Sequence, residues 1–111
     1  MNKTLKFSPD LVPLILSGEK TLTWRLWDDK DLQVGDMVTF IRIPELTPFA
    51  TAKITSAVEK PMGQLTEEDK RSHETFESDE EMYNTYTKYY GKPVGHNTLV
   101  KIIRFELPRN R

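Results

Sequence analysis

The sequence predicts a small α+β domain: a curled sheet or barrel with helices packed at its ends. Five short runs alternate apolar and polar side chains or are rich in β-branched and aromatic residues. Three other segments carry helix caps and helical spacing, all within 111 residues. Strands this few and short are most stable when the sheet closes toward itself. A chain of this length is expected to form one domain spanning residues 1–111.

The elements follow in order. Thr4–Phe7 reads as a short strand. The segment from Ser8 to Gly18 reads as a helix capped by Ser8 or Asp10, with Pro13 in its first turn and Gly18 ending it in the left-handed conformation. Leu11, Val12, Leu14, Ile15 and Leu16 are its expected buried face. From Thr21 to Trp27 the period changes to two. Thr21, Thr23, Arg25 and Trp27 are expected on one face of a strand, and Leu22, Trp24 and Leu26 on the other. A polar loop turning at Gly35-Asp36 leads to the strand Met37–Ile43. A further strand is expected over Ala50–Pro61, with Ala52, Ile54 and, after a bulge or bend, Val58 as apolar positions. Thr66 with Asp69 resembles a capping box and opens a short helix. A second helix begins after Ser78 and ends near Gly91, with Met82, Tyr83, Tyr86, Tyr89 and Tyr90 as its stripe. The closing strand, Thr98–Leu107, has Leu99, Ile102 or Ile103, and Phe105 inward.

Composition limits the chemistry. Sixteen basic and seventeen acidic residues leave a net charge of -1, so no global cationic field draws the chain to long nucleic acid. Cysteine is absent, which removes disulfides, thiolate nucleophiles and cysteine-based zinc sites. The two histidines, His73 and His96, stand in no recognisable motif. The amino-terminal residues lack an apolar signal core and no run approaches a membrane span, so a soluble cytoplasmic protein with no membrane partner is expected. No metal or other cofactor is expected, and monomer and homodimer both stay open.

The segment from Ser17 to Trp27 is too mixed for a strand that only builds a core. It holds glycine, lysine, threonines, arginine and two tryptophans. The run "ILSGEKTLTWR", the later "VGDMVTF" and "LTEEDKRSHETF", and the closing strand resemble the ASCH domain family over nearly the whole chain. Its most specific part is Gly18, Lys20, Thr21, Thr23 and Arg25. The resemblance implies a PUA-like β-barrel. It also implies a function, because some members are small bacterial amidohydrolases that remove the acyl group from N4-acetylcytidine. Others are proposed RNA-binding modules, and some are reported to cleave RNA.

Carried over from the amidohydrolases, the catalytic residues are Lys20, Thr23 and Glu74. Glu74 is chosen because it stands directly before Thr75-Phe76; His73 and Glu77 are the neighbouring alternatives. Trp24 departs from the family, which more often has a β-branched residue there. Arg25, Trp24, Thr21 and Phe7 are the expected substrate-binding residues, and the expected ligand is an N4-acylated cytidine or cytosine.

The chemistry agrees with that set. Amide hydrolysis needs a nucleophile, a base, an acid for the leaving amine, and a donor for the oxyanion. Thr23 offers the hydroxyl. Lys20 is a base only when neutral, which from a free pKa of about 10.4 requires roughly 4 kcal/mol of destabilisation of its charged form. Arg25 supplies part of that repulsion, while Glu74 opposes it. Two assignments therefore stand: Lys20 activates Thr23 and Glu74 protonates the amine, or charged Lys20 holds the oxyanion and Glu74 is the base. Cytosine is a good leaving group because its ring delocalises the departing electron pair. Its flat ring suits aromatic stacking, for which Trp24, Trp27, Phe7 and the last helix's tyrosines are available.

Taken singly, each residue has an ordinary explanation. Lysines after a helix-ending glycine are commonly solvated, and alternating threonines are commonly β-formers. Arg25 can pair with a neighbouring aspartate. The tyrosines are first a packing stripe. The two tryptophans point to opposite faces, so at least one belongs to the core. The alternatives to amidohydrolysis are a non-catalytic RNA-binding module and, less favoured, a ribonuclease.

Overall fold

The computed structural model describes residues 3–27, 30–70 and 76–108. Its frame is one five-stranded sheet: β1 (Lys3–Phe7), β2 (Leu22–Leu26), β3 (Met37–Arg42), β4 (Thr47–Pro61) and β5 (Leu99–Glu106). The spatial order is β1-β3-β4-β5-β2. Among the described residues, only the β1–β3 pair is parallel. The sheet curls into a half-barrel, so its edge strands β1 and β2 face each other across a seam. The Arg25 guanidinium of β2 crosses that seam and donates to the Lys6 carbonyl of β1 at 3.2 Å.

The long strand β4 makes the curl possible. Its first half pairs with β3 and its second half with β5, and the register shifts between Ile54 and Ser56. A bulge of this kind raises local twist and bends a strand, which lets one strand turn a corner. The bulge falls where the sequence predicts a bend, but β4 starts three residues earlier than Ala50. The bend also moves Ala57, rather than Val58, onto the inner cluster; Val58 is exposed.

Two apolar clusters result. Inside the curl lie Leu5, Phe7, Phe40, Ile54, Ile103 and Phe105. Leu32, from the loop before β3, joins them at 1% exposure. Sequence polarity around it gives no sign of this. Outside the curl, Leu22, Trp24, Val100 and Ile102 pack against Met62 and Met82. β2 and β5 are therefore buried on both faces. Ile102 and Ile103 are both buried because they serve opposite clusters, Ile103 inside the curl and Ile102 outside it, whereas Leu99, expected inward, is half exposed at the strand's start.

The helices are α1 (Val12–Ser17), α2 (Glu67–Lys70) and α3 (Asp79–Tyr90). α1 follows a 3-10 turn over Pro9–Leu11, and the Ser8 side chain makes no capping hydrogen bond. Only Ile15 of α1 is buried; Leu14 and Leu16 are exposed, contrary to the expected face. A helix of under two turns lying across a barrel end offers one contact row. Gly18 ends α1 at φ 86°, a region open to glycine without a Cβ penalty. The predicted capping box of α2 is present: Asp69 N–H donates to Thr66 Oγ1 and Thr66 N–H to Asp69 Oδ2. The α3 termini are as predicted. Ser78 Oγ accepts from the Glu81 N–H at 3.1 Å, and Gly91 closes the helix at φ 70°. Among the described residues, no helix is long and apolar enough to cross a membrane.

Candidate functional site

A cavity of about 310 Å³ opens along the seam between β1 and β2. Lys20, Thr23, Trp24 and Arg25 supply one side, Phe7 another, and Tyr86, Tyr89 and Tyr90 of α3 cover it. Its size falls near the lower end of small-molecule pockets.

Local structure explains how these side chains arrive. After the left-handed Gly18 the chain doubles back, and the Lys20 N–H donates to the Leu14 carbonyl at 3.0 Å. That turn carries Lys20 into the barrel end, where it is 4% exposed. β2 then begins, held by its antiparallel ladder to β5 with Thr23 opposite Ile103. Thr23 and Arg25 face the seam, and Thr23 is 5% exposed. A buried lysine and a buried threonine on one cavity wall are not the ordinary solvated lysine and β-forming threonine. Burying an ammonium is costly unless the group is paired or hydrogen-bonded.

Arg25 closes the wall. Its guanidinium carbon lies 5.0 Å from the Phe7 ring centroid, a cation–π contact. One Nη spans to Lys6, and the Nε is buried with no acceptor among the described residues. The guanidinium thus presents N–H donors beside the cavity. The Phe7 ring lines the cavity, packed 4.7 Å from the core ring of Phe40 and with Arg25 over its face.

Trp24 is a wall rather than a free stacking platform. Its indole N–H donates to the Asp69 carbonyl at 3.1 Å, its ring packs 6.1 Å from Tyr86, and it is 3% exposed. Trp27 is not on the Thr23 face as alternation predicts. It has left the strand at φ 49° and is 45% exposed, edge-on to Tyr90 with the Lys92 ammonium 4.8 Å over its ring. Thr21 does not line the cavity either. It precedes β2, its side chain is exposed, and its carbonyl accepts from Phe105 N–H.

Glu74 and its alternative His73 lie outside the described residues. Glu77, the other alternative, is exposed away from the cavity lining, and its N–H donates to Glu81 Oε2. Sequence reasoning missed Lys6, Asp10 and Ile43, which also line the cavity. Asp10 was accounted for as a helix cap, and only the β1–β2 seam reveals its other surroundings. Among the described residues, no three histidine or carboxylate side chains gather as a metal site.

One buried charge supports the wall from behind. Asp69 accepts from Lys60 Nζ at 2.8 Å, with Arg104 at 3.9 Å. Burial pushes its carboxyl upward, but hydrogen bonds from Lys60 and Thr66 outweigh burial and hold it below its usual value. Lys60, α2 and the Trp24 indole are thereby tied together.

No family model matches the sequence, and no curated relative matches it. In structure, the chain is similar to solved ASCH domains. The ASCH domain of Lactobacillus crispatus is 19% identical with a TM-score of 0.72, over 96% of this chain and 79% of that one. A protein from Enterococcus faecalis is 20% identical with a TM-score of 0.78, over 96% and 80%. The ASCH protein of Zymomonas mobilis is 14% identical with a TM-score of 0.68, over 95% and 66%. The chain therefore has the PUA-like fold of the ASCH domains.

Proposed function

We propose that the protein is an amidohydrolase that removes the acyl group from N4-acylated cytidine or cytosine. The observation that carries this reading is the burial of Lys20 and Thr23 on the wall of one cavity, beside the Arg25 guanidinium and beneath three tyrosines.

The chemistry follows from those groups. The acyl carbonyl is held near Lys20 and Arg25, and the cytosine ring lies against the tyrosines and the Trp24 edge. Thr23 Oγ attacks the acyl carbon while its proton passes to a base. The oxyanion is stabilised by a cationic donor, for which the Arg25 Nε–H, without an acceptor among the described residues, is suited. Collapse breaks the carbon–N4 bond, and the departing amine takes a proton. Water then cleaves the threonine ester, releasing the carboxylate product and restoring the hydroxyl. In the preferred assignment Lys20 is the base for Thr23 and Glu74 moves the proton to N4. With Lys20 charged, the roles of oxyanion holder and base pass to Lys20 and Glu74 respectively. The resemblance, not a contact, gives Glu74 its part.

The test is direct. The protein is mixed with N4-acetylcytidine without added metal, and the ultraviolet change to cytidine is followed. Turnover is expected, and both Lys20→Ala and Thr23→Ala should reduce kcat by at least a hundredfold with unchanged circular dichroism. Hydrolysis no faster than in buffer would reject the activity. Retained turnover in Thr23→Ala would transfer the nucleophile's role to water.

A further inference from the structure

Beyond the cavity, the seam continues into a second groove of about 430 Å³. It shares Lys6, Arg25, Tyr89 and Tyr90 with the cavity and adds Trp27, Lys30 and Lys92. Four cationic side chains thus line it, and none of its described lining residues is acidic. Asp28 and Asp29, next in sequence to Trp27, lie outside the described residues. In a chain of net charge -1, this cationic lining is local, so it marks a site rather than a general affinity for polyanions.

The groove is also built. The Lys30 ammonium donates to the carbonyl and hydroxyl of Thr4 on β1. Arg25 makes the neighbouring edge bond to Lys6, so the cations repeat along the seam. Lys92 sits over Trp27, and Trp27 packs on Tyr90, whose hydroxyl accepts from Leu26 N–H. A nucleoside in the cavity would send its ribose toward this groove. A ribose carries no charge that calls for cations, but a phosphate attached to it does.

We infer that the groove is a phosphate subsite, and that the molecule recognised is a cytidine nucleotide, free or within a strand, rather than the bare nucleoside. The inference rests on the base-binding half of the proposed function and deepens it by naming the substrate class. The cavity takes the base, the cations of the groove take the phosphate, and Trp27 offers a ring surface next to it.

Unmodified ligands test this apart from turnover. Affinities for cytidine, cytidine 5′-monophosphate and cytidine 3′-monophosphate are measured by calorimetry at low and high salt. At least one monophosphate should bind tenfold or more tighter than cytidine, with the advantage shrinking as salt rises. Lys92→Glu and Lys92→Ala should erase most of that advantage and leave cytidine affinity unchanged. Equal binding of nucleoside and both nucleotides, failure to bind any of them, or an undiminished preference in both Lys92 variants would overturn the inference. A trinucleotide with a central cytidine separates the two sources. Binding tighter than either monophosphate, and weakened by Trp27→Ala, assigns the phosphate to a strand; binding equal to a monophosphate assigns it to a free nucleotide. Turnover of N4-acetylcytidine with no phosphate preference would sink this inference alone. A phosphate preference with no turnover would sink only the hydrolase reading.

Discussion

Trp24 and Trp27 stand three positions apart in one motif, and the fold uses them in opposite ways. Trp24 is buried and spends its indole N–H on the Asp69 carbonyl. A neutral hydrogen bond of this kind is worth about 1 kcal/mol net, and leaving the carbonyl unpaired in a buried setting adds to the loss. Trp24→Phe is therefore expected to lower stability by about 1–2 kcal/mol, read as a drop in the urea midpoint with unchanged slope. Trp27→Ala, at an exposed site, should change the midpoint far less. Periodicity placed Trp24 correctly opposite Thr23. It misplaced Trp27, because a strand's alternation ends where the chain turns, and φ 49° at Trp27 is that turn.

At the scale of elements, α3 matters most to the site, since its tyrosines roof the cavity. Its start depends on Ser78, which accepts from Glu81 N–H, and Ser78→Ala should cost about 1 kcal/mol. Chemical denaturation measures that cost. If the roof orders the base, the same variant should raise KM for N4-acetylcytidine more than it lowers kcat. The helix boundaries were readable because caps are local chemistry: Ser78, Gly91, Thr66 with Asp69, and Gly18 each satisfy neighbouring backbone groups. The burial of α1 was not readable. Its five apolar residues suggested a wide buried face, but the barrel end covers only the row containing Ile15.

The whole molecule is held by a half-barrel clamped from behind by the Asp69–Lys60 pair and along its seam by Arg25. Because the folded Asp69 carboxyl is held below its ordinary value of 3.8, the unfolded chain takes up that proton more readily. Its contribution to stability is fully present above about pH 4–5 and is lost as pH falls through the lowered folded value. Asp69→Asn should therefore be less stable than wild type at pH 7, with the gap narrowing below pH 3.8. Urea midpoints at pH 7, 5 and 3 check this, and a gap independent of pH would show that the pair's charge is not what stabilises.

Composition, caps and alternation by themselves determined the elements, the bend in β4 and the two faces of β2, while the family resemblance of the segment from Gly18 to Arg25 pointed to Lys20, Thr23 and Arg25 as the place to look. These depend on interactions within a few residues, or on a repeat that any strand obeys. Tertiary structure alone decided that β1 and β2 face each other, that Lys6 and Asp10 join the cavity, that Leu32 is core, and that Trp24 is wall while Trp27 borders a second groove. Those outcomes depend on how the bulged β4 curls the sheet and brings distant edges together, and a distance set by curvature leaves no period in the chain.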